Sequence, residues 1–295
     1  MKAALFVASK LLVLTIILFV CFAMAGGVLG QQANAQSDQA GAAALLLLTV
    51  CSLQASVLSY LILRSRWTGW RLVATMFVVF YGVATFMPQI ESAVFPTRLP
   101  PGMLPRLFLM GALIAAPFSL LAVLILGKSK PAPSDPQSNS RLIMPAGEWA
   151  WKLVVIVLAY LILYFTFGYF IAWRNPAVPE YYGGTDPGSF FAQMGTVLRD
   201  TPWLIPIQVV RAMLWVALTL PVIRMLKGQW PETAVAIGVL LAVVMNALLL
   251  LPNPYMSEPV RMAHLVETAS SNFIFGVLIG WLLTNRPPSR QTSSV

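Results

Sequence analysis

Eight long apolar runs, parted by short polar or proline-containing stretches, take up most of the chain. They run from Leu11 to Leu29, Ala42 to Leu63, Leu72 to at least Met87, Leu107 to Leu126, Leu153 to Trp173, Leu204 to Ile223, Thr233 to Leu251 and Met262 to Leu283. About 20 helical residues at ~1.5 Å each cross a hydrocarbon core of ~30 Å, and each run is near that length. The alternation over ~10 residues that marks a strand of a membrane barrel is absent. The pattern predicts an all-α fold, a polytopic helical membrane protein with about eight transmembrane helices.

Two runs need closer reading. Lys2 and Lys10 precede the first run, and Ala33-Asn34-Ala35 follows it, as in a signal peptide with an A-x-A cleavage site. Its apolar stretch is longer than the usual ~7–15 residues and ends well before the A-x-A, so a retained helix is expected; cleavage would leave seven spans. The third run is short for a crossing if it stops at Met87. Carried on to Phe95 it is ample, and it then holds Gln89 and Glu91 near one membrane face.

Composition agrees with the runs. Hydrophobic residues make up 58% of the 295 and charged residues 10%, with a mean hydropathy of +0.78. A soluble domain carries about 25% charged residues. The net charge of +9 would raise the question of nucleic acid in a soluble protein. Here the basic residues sit at the ends of apolar runs, so they report topology and no nucleic-acid partner is expected. With the amino terminus inside, thirteen fall on the cytoplasmic side: Lys2, Lys10, Arg64, Arg66, Arg71, Lys128, Lys130, Arg141, Lys152, Arg224, Lys227, Arg286 and Arg290. Five fall outside: Arg98, Arg106, Arg174, Arg199 and Arg261. The expectation is an integral protein of the cell (inner) membrane, with both termini cytoplasmic if the first span is retained.

A Pro/Ser-rich linker at 127–149 divides the chain into a first four-helix half, 1–126, and a second, 150–285, followed by a cytoplasmic tail, 286–295. Each half has a basic turn with a tryptophan before its third span, Arg64-Ser65-Arg66-Trp67 and Lys227-Gly228-Gln229-Trp230. An internal parallel repeat would give this, and so would the ordinary placement of tryptophan at membrane interfaces. The longest external loop runs from Arg174 to Pro202. Within it, Phe190, Phe191, Met194, Val197 and Leu198 fall on one helical face, which predicts a helix lying along the membrane surface.

Polar residues inside a bilayer mark the places where chemistry can live. Arg211 interrupts the sixth run, eight residues past Trp203 and so ~12 Å along the helix. It either snorkels to the headgroups or turns into the bundle and pairs with a carboxylate. Glu91 and Glu267 lie at a depth it can reach. Asn246, Gln89 and His264 fall in the same outer layer. On the eighth run Arg261, His264, Glu267 or Thr268, and Ser271 share one face, and Gly276 and Gly280 form a G-x-x-x-G pair suited to close helix packing. Gly26 and Gly30 form another. Pro117 and Pro206 are the places where a spanning helix could be interrupted.

His264 is the single histidine, and with Glu267 it makes H-x-x-E. Metal sites need more ligands than one histidine and two cysteines supply, so no metal and no cofactor is expected. Cys21 and Cys51 both lie within apolar runs, away from the aqueous loops where disulfides form. No P-loop, G-x-S-x-G, H-E-x-x-H or G-x-G-x-x-G occurs. The segment Phe273 to Leu283 is similar to part of the intramembrane CAAX-protease-like family. That family's paired glutamates and two further histidine motifs have no counterpart in this chain, so the family is not adopted.

Three readings remain. The first is non-enzymatic binding or transport of a small or lipid-like ligand, with Arg211 attracting an anionic group and Glu91, Glu267 and Asn246 shaping the site. The second is a structural or accessory subunit whose polar groups lock helices together. The third is an intramembrane enzyme using His264 and Glu267 for acid–base work, for which no nucleophile is evident. The first is preferred. The bilayer is the expected partner, with a small molecule or lipid as ligand.

Overall fold

The tertiary structure is a computed structural model that describes residues 2–28, 37–94, 99–130, 141–184 and 188–285. Ala33-Asn34-Ala35, Gly30, Phe95, Arg98, the centre of the linker (131–140), Thr185, Arg286 and Arg290 lie outside those residues. Eight helices are long and apolar enough to cross a membrane. They are α1 (Lys2–Val28), α2 (Ser37–Leu63), α3 (Gly69–Val94), α4 (Met103–Ile125), α5 (Ala146–Ala172), α8 (Leu204–Met225), α9 (Trp230–Leu250) and α10 (Glu258–Thr284). Two short helices, α6 (Ala177–Tyr181) and α7 (Phe190–Asp200), lie between α5 and α8. No sheet forms among the described residues.

The bundle is apolar outside as well as inside. Leu12, Leu45, Leu158, Ile162 and Val210 are all exposed, as side chains facing lipid would be. α1 packs on α2 and α4, and α3 on α4; α5 packs on α8 and α10, and α9 on α10. α2 touches α9 and α3 touches α8. In α1, Leu14 and Leu18 are fully enclosed and Cys21 and Ala25 are buried, so the first helix is part of the core. Cys21 and Cys51 are free thiols.

The closest packing is between α9 and α10. A Cβ built on Gly276 would come within 2.7 Å of Gly238 Cα, and one on Gly280 within 2.4 Å of Ala234 Cα. The G-x-x-x-G face therefore meets a second small-x-x-x-small face, Ala234 and Gly238, which lets the two backbones touch.

The irregularities fall elsewhere than at the two prolines. α4 continues through Pro117. Pro206 sits in the first turn of α8, where an N–H has no intrahelical partner to lose. Instead, π turns occur at Gly82–Phe86 in α3, Gly168–Ala172 in α5 and Leu240–Val244 in α9. A π turn leaves carbonyls short of their helical donors. In α9 side chains supply them: Gln54 Nε2 donates to Val244 O (3.0 Å), and Asn246 Nδ2 to Ala242 O (2.8 Å) and Leu241 O (3.4 Å).

The two ends of the bundle differ. At one, called here the bridge end, Ser65 and Leu226 pair as an isolated antiparallel bridge between the α2–α3 and α8–α9 turns. α4 stops there in a glycine cap. Gly127 has φ +76°, its N–H reaches Leu124 O and that of Lys128 reaches Val123 O, each at 3.0 Å. The cap aims Lys128 Nζ at Ser65 O, 2.9 Å away. The opposite end carries α6 and α7.

Candidate functional site

Arg211 does not snorkel. It is 2% exposed on α8, and its guanidinium donates to the Glu91 carboxylate of α3 and to Gln208 Oε1 at 2.9 Å. Gln208 is fully buried one turn earlier on the same face. Glu91 is reached because the third helix runs on past its π turn to Val94. Its side chain keeps 34% of its exposure while Arg211 keeps almost none. Tyr160 and Tyr164 of α5 lie in the field of both charges.

Two polar atoms of this group have no hydrogen-bond partner, Arg211 Nε and Gln208 Nε2. Buried polar groups are nearly always bonded to protein or water. Two donors are therefore left over beside the pair.

The second group centres on His264. Its Nδ1 lies 2.8 Å from Glu267 Oε2 and its Nε2 3.2 Å from the Tyr182 hydroxyl. A carboxylate only accepts, so the neutral imidazole carries its proton on Nδ1 and offers Nε2 to the phenol. Tyr182 is held by the turn after α6. The segment is anchored from α6 and the turn before it, where Val178 packs with Ala172 and Val260 and Asn175 Nδ2 donates to Pro259 O at 3.2 Å. Burial raises the Tyr182 phenol above its usual pKa, and the nearby Glu91 and Glu267 carboxylates raise it further. Tyr182 thus lies within the field of both carboxylates. The π turn of α5 brings Gly168 beside Glu267, leaving 3.6 Å between a Cβ there and Oε1.

The remaining sequence candidates divide by what they touch. Asn246 spends its amide on the α9 backbone and accepts from Thr268 Oγ1 at 2.5 Å. It is bonded to neither Arg211 nor His264. Glu267 pairs with His264, and the Arg211 partner is Glu91. Arg261 is buried and caps the end of α9, donating to Leu249 O (2.8 Å) and Leu251 O (2.6 Å). α7 forms as the sequence suggests, capped by Ser189 and with no buried residue. Among the described residues no His/Cys/Asp/Glu cluster could hold a metal. A cleft of about 540 Å³ opens at the other end of α5 and α10, beside the Lys152–Glu148 pair.

Sequence reasoning missed Gln208, Tyr182, Tyr160 and Tyr164. Gln208 carried a readable signal, a glutamine three residues before a membrane arginine. The tyrosines carried none, because aromatic residues are ordinary in such helices and loops. Comparison with protein-family models, curated proteins and solved structures finds no match.

Proposed function

We propose that this membrane protein binds, and carries or presents, a small or lipid-like ligand at the polar layer around Arg211. The supporting observation is the two unpartnered donors, Arg211 Nε and Gln208 Nε2, beside an ion pair in an apolar bundle. A lock between helices works best with every polar group satisfied. A site that waits for an occupant keeps donors in reserve. Glu91 already balances the Arg211 charge, so the occupant supplies acceptor oxygens and either is neutral or zwitterionic overall, or brings a proton for Glu91. The basic residues at the bridge end support a cytoplasmic placement for that end, with the polar layer facing out.

Native mass spectrometry of protein released gently from its membrane tests the site. Wild type is expected to retain a bound species that Arg211→Met and Gln208→Leu both lose. Retention in both variants would sink the reading. Reporters test the placement: one after Arg290 reads cytoplasmic and one between Thr185 and Ser189 reads external. An external reading at the carboxyl terminus would overturn the span count.

The Glu267–His264–Tyr182 chain favours a second reading, an enzyme in which the carboxylate orients the imidazole for proton transfer. That reading predicts loss of turnover in His264→Gln with ligand retention unchanged.

A further inference from the structure

The bridge end supplies a register in which the two halves of the chain can be compared. Arg66 N donates to Met225 O at 2.6 Å, and Lys227 N donates to Arg64 O at 3.0 Å. Pair each residue with the one 161 positions on, as Ser65 pairs with Leu226, and the two bonds exchange with one another. Every antiparallel bridge exchanges its bonds in this way, so Ser65 and Leu226 supply only a candidate register, an offset of 161 residues.

The same offset carries through three helices. α3 begins at Gly69 and α9 at Trp230. The buried Leu72, Met76 and Val83 of α3 fall on Thr233, Ile237 and Val244 of α9, all buried. Cys51, Val79 and Ile62 fall on Ala212, Leu240 and Ile223, again all buried. The small or polar stripe of α4, Gly111, Ala115 and Ser119, falls on Asn272, Gly276 and Gly280 of α10, and each member of both stripes is buried. One helix matches another in about one register in four, from its 3.6-residue period. A single offset holding across three helices and their turns has a different cause. The Trp67 and Trp230 pairing suggested by the sequence is two positions out of this register.

The contacts agree. α1 on α2 and α4, with α3 on α4, becomes α5 on α8 and α10, with α9 on α10. Between the halves, α2 on α9 exchanges with α3 on α8, and the π turns of α3 and α9 meet each other. α6 and α7 are an insertion in the second half.

We propose that the chain is an internal duplication of one four-helix unit about a two-fold axis along the membrane normal. The copies pivot at the bridge end and are latched at the opposite end by Arg211 and Glu91. The pair joins the copies, since Glu91 belongs to the first and Arg211 to the second. It occurs once, because the offset places Val50 opposite Arg211 and Pro252 opposite Glu91. At the bridge end the copies are joined more heavily. Besides the exchanged backbone bonds, Glu232 accepts from Arg64 Nε at 2.5 Å, Arg64 Nη2 at 2.7 Å and the Tyr60 hydroxyl at 2.7 Å. Gly82, in the π turn that leads to Glu91, presses on Leu218 of α8, so this turn is where α3 can bend away. The proposal does not require a ligand.

Spin-label distances in the full chain test it, in a Cys21→Ala, Cys51→Ala background reconstituted in lipid discs. Labels at Leu109 and Val266 report the latch end; labels at Trp70 and Val235 report the bridge end. All four side chains are exposed. Glu91→Gln is expected to shift the latch-end distance upward and leave the bridge-end distance as in wild type. Arg211→Gln should do the same, and it leaves only Glu91, a third of whose side chain is exposed, without its countercharge, which spares the fold. Unchanged latch-end distances in both variants, or equal shifts at both ends, would overturn the latch. Ser56 with Leu109 and Ala217 with Ser270 are equivalent pairs, so their wild-type distances should agree. Clear disagreement would overturn the duplication.

Discussion

Glu91→Gln is expected to be the most damaging change at the polar layer, lowering stability by about 3–5 kcal/mol, the usual loss when one partner of a buried ion pair is removed. It strands the charge of Arg211, which is 2% exposed and keeps only neutral side-chain acceptors, the Gln208 oxygen and the amide oxygen of the new glutamine. The converse change should cost less. Arg211→Met replaces the guanidinium by an apolar chain that suits its surroundings, and the remaining Glu91 has a third of its side chain exposed and can be hydrated or protonated. The double variant, Glu91→Gln with Arg211→Met, should regain much of the loss, because it removes the buried charge and leaves a neutral amide at a position a third exposed. Thermal unfolding of the four proteins of this cycle, in one detergent, measures the coupling. Additive losses would mean that the two side chains do not act as a pair. Recovered stability without recovered ligand retention would assign the pair to binding rather than to support.

Leucine at Gly280 is expected to disrupt the fold outright, and leucine at Gly276 nearly as severely. Overpacking a core costs about 1–3 kcal/mol where side chains can give way. Here the obstacle is backbone: the first added carbon would lie 2.4 Å from Ala234 Cα in one case and 2.7 Å from Gly238 Cα in the other. Both helices would have to separate along their length. Ala234→Gly should rescue Gly280→Ala poorly, since it removes the Ala234 Cβ at 3.0 Å and leaves the nearer Cα in place. Ile279→Leu, a fully buried volume-conserving change between the two glycines, should cost less than about 1.5 kcal/mol. Yield of monodisperse protein and melting temperature read the series. Equal tolerance at all three positions would show that the glycine face is not in contact.

Depth along the membrane normal is the coordinate the sequence carried. Each crossing needs a fixed apolar length, so eight runs gave eight helices, and the short third run had to extend far enough to carry Glu91. The same depth count placed Arg211, Glu91, Glu267, His264 and Asn246 in one layer. The H-x-x-E spacing brought His264 to Glu267 within a single helix, and the glycine pair named the packed face of α10, because both are local properties of one helical period.

Lateral position and rotation of each helix had no such signal. They follow from how eight surfaces fit together, and only the tertiary structure decided them. It chose Glu91 over Glu267 as the partner of Arg211 and turned Arg211 inward to Gln208. It set Ala234 and Gly238 against the glycines and drew Tyr182 from a loop to His264. Asn246, read as a site residue from its depth, spends its amide on the carbonyls of a π turn, a local rearrangement that no residue pattern in α9 announces. Bilayer thickness acts on every segment separately, so its imprint can be read segment by segment. Packing acts on pairs of surfaces, and its outcome appears only when both are in place.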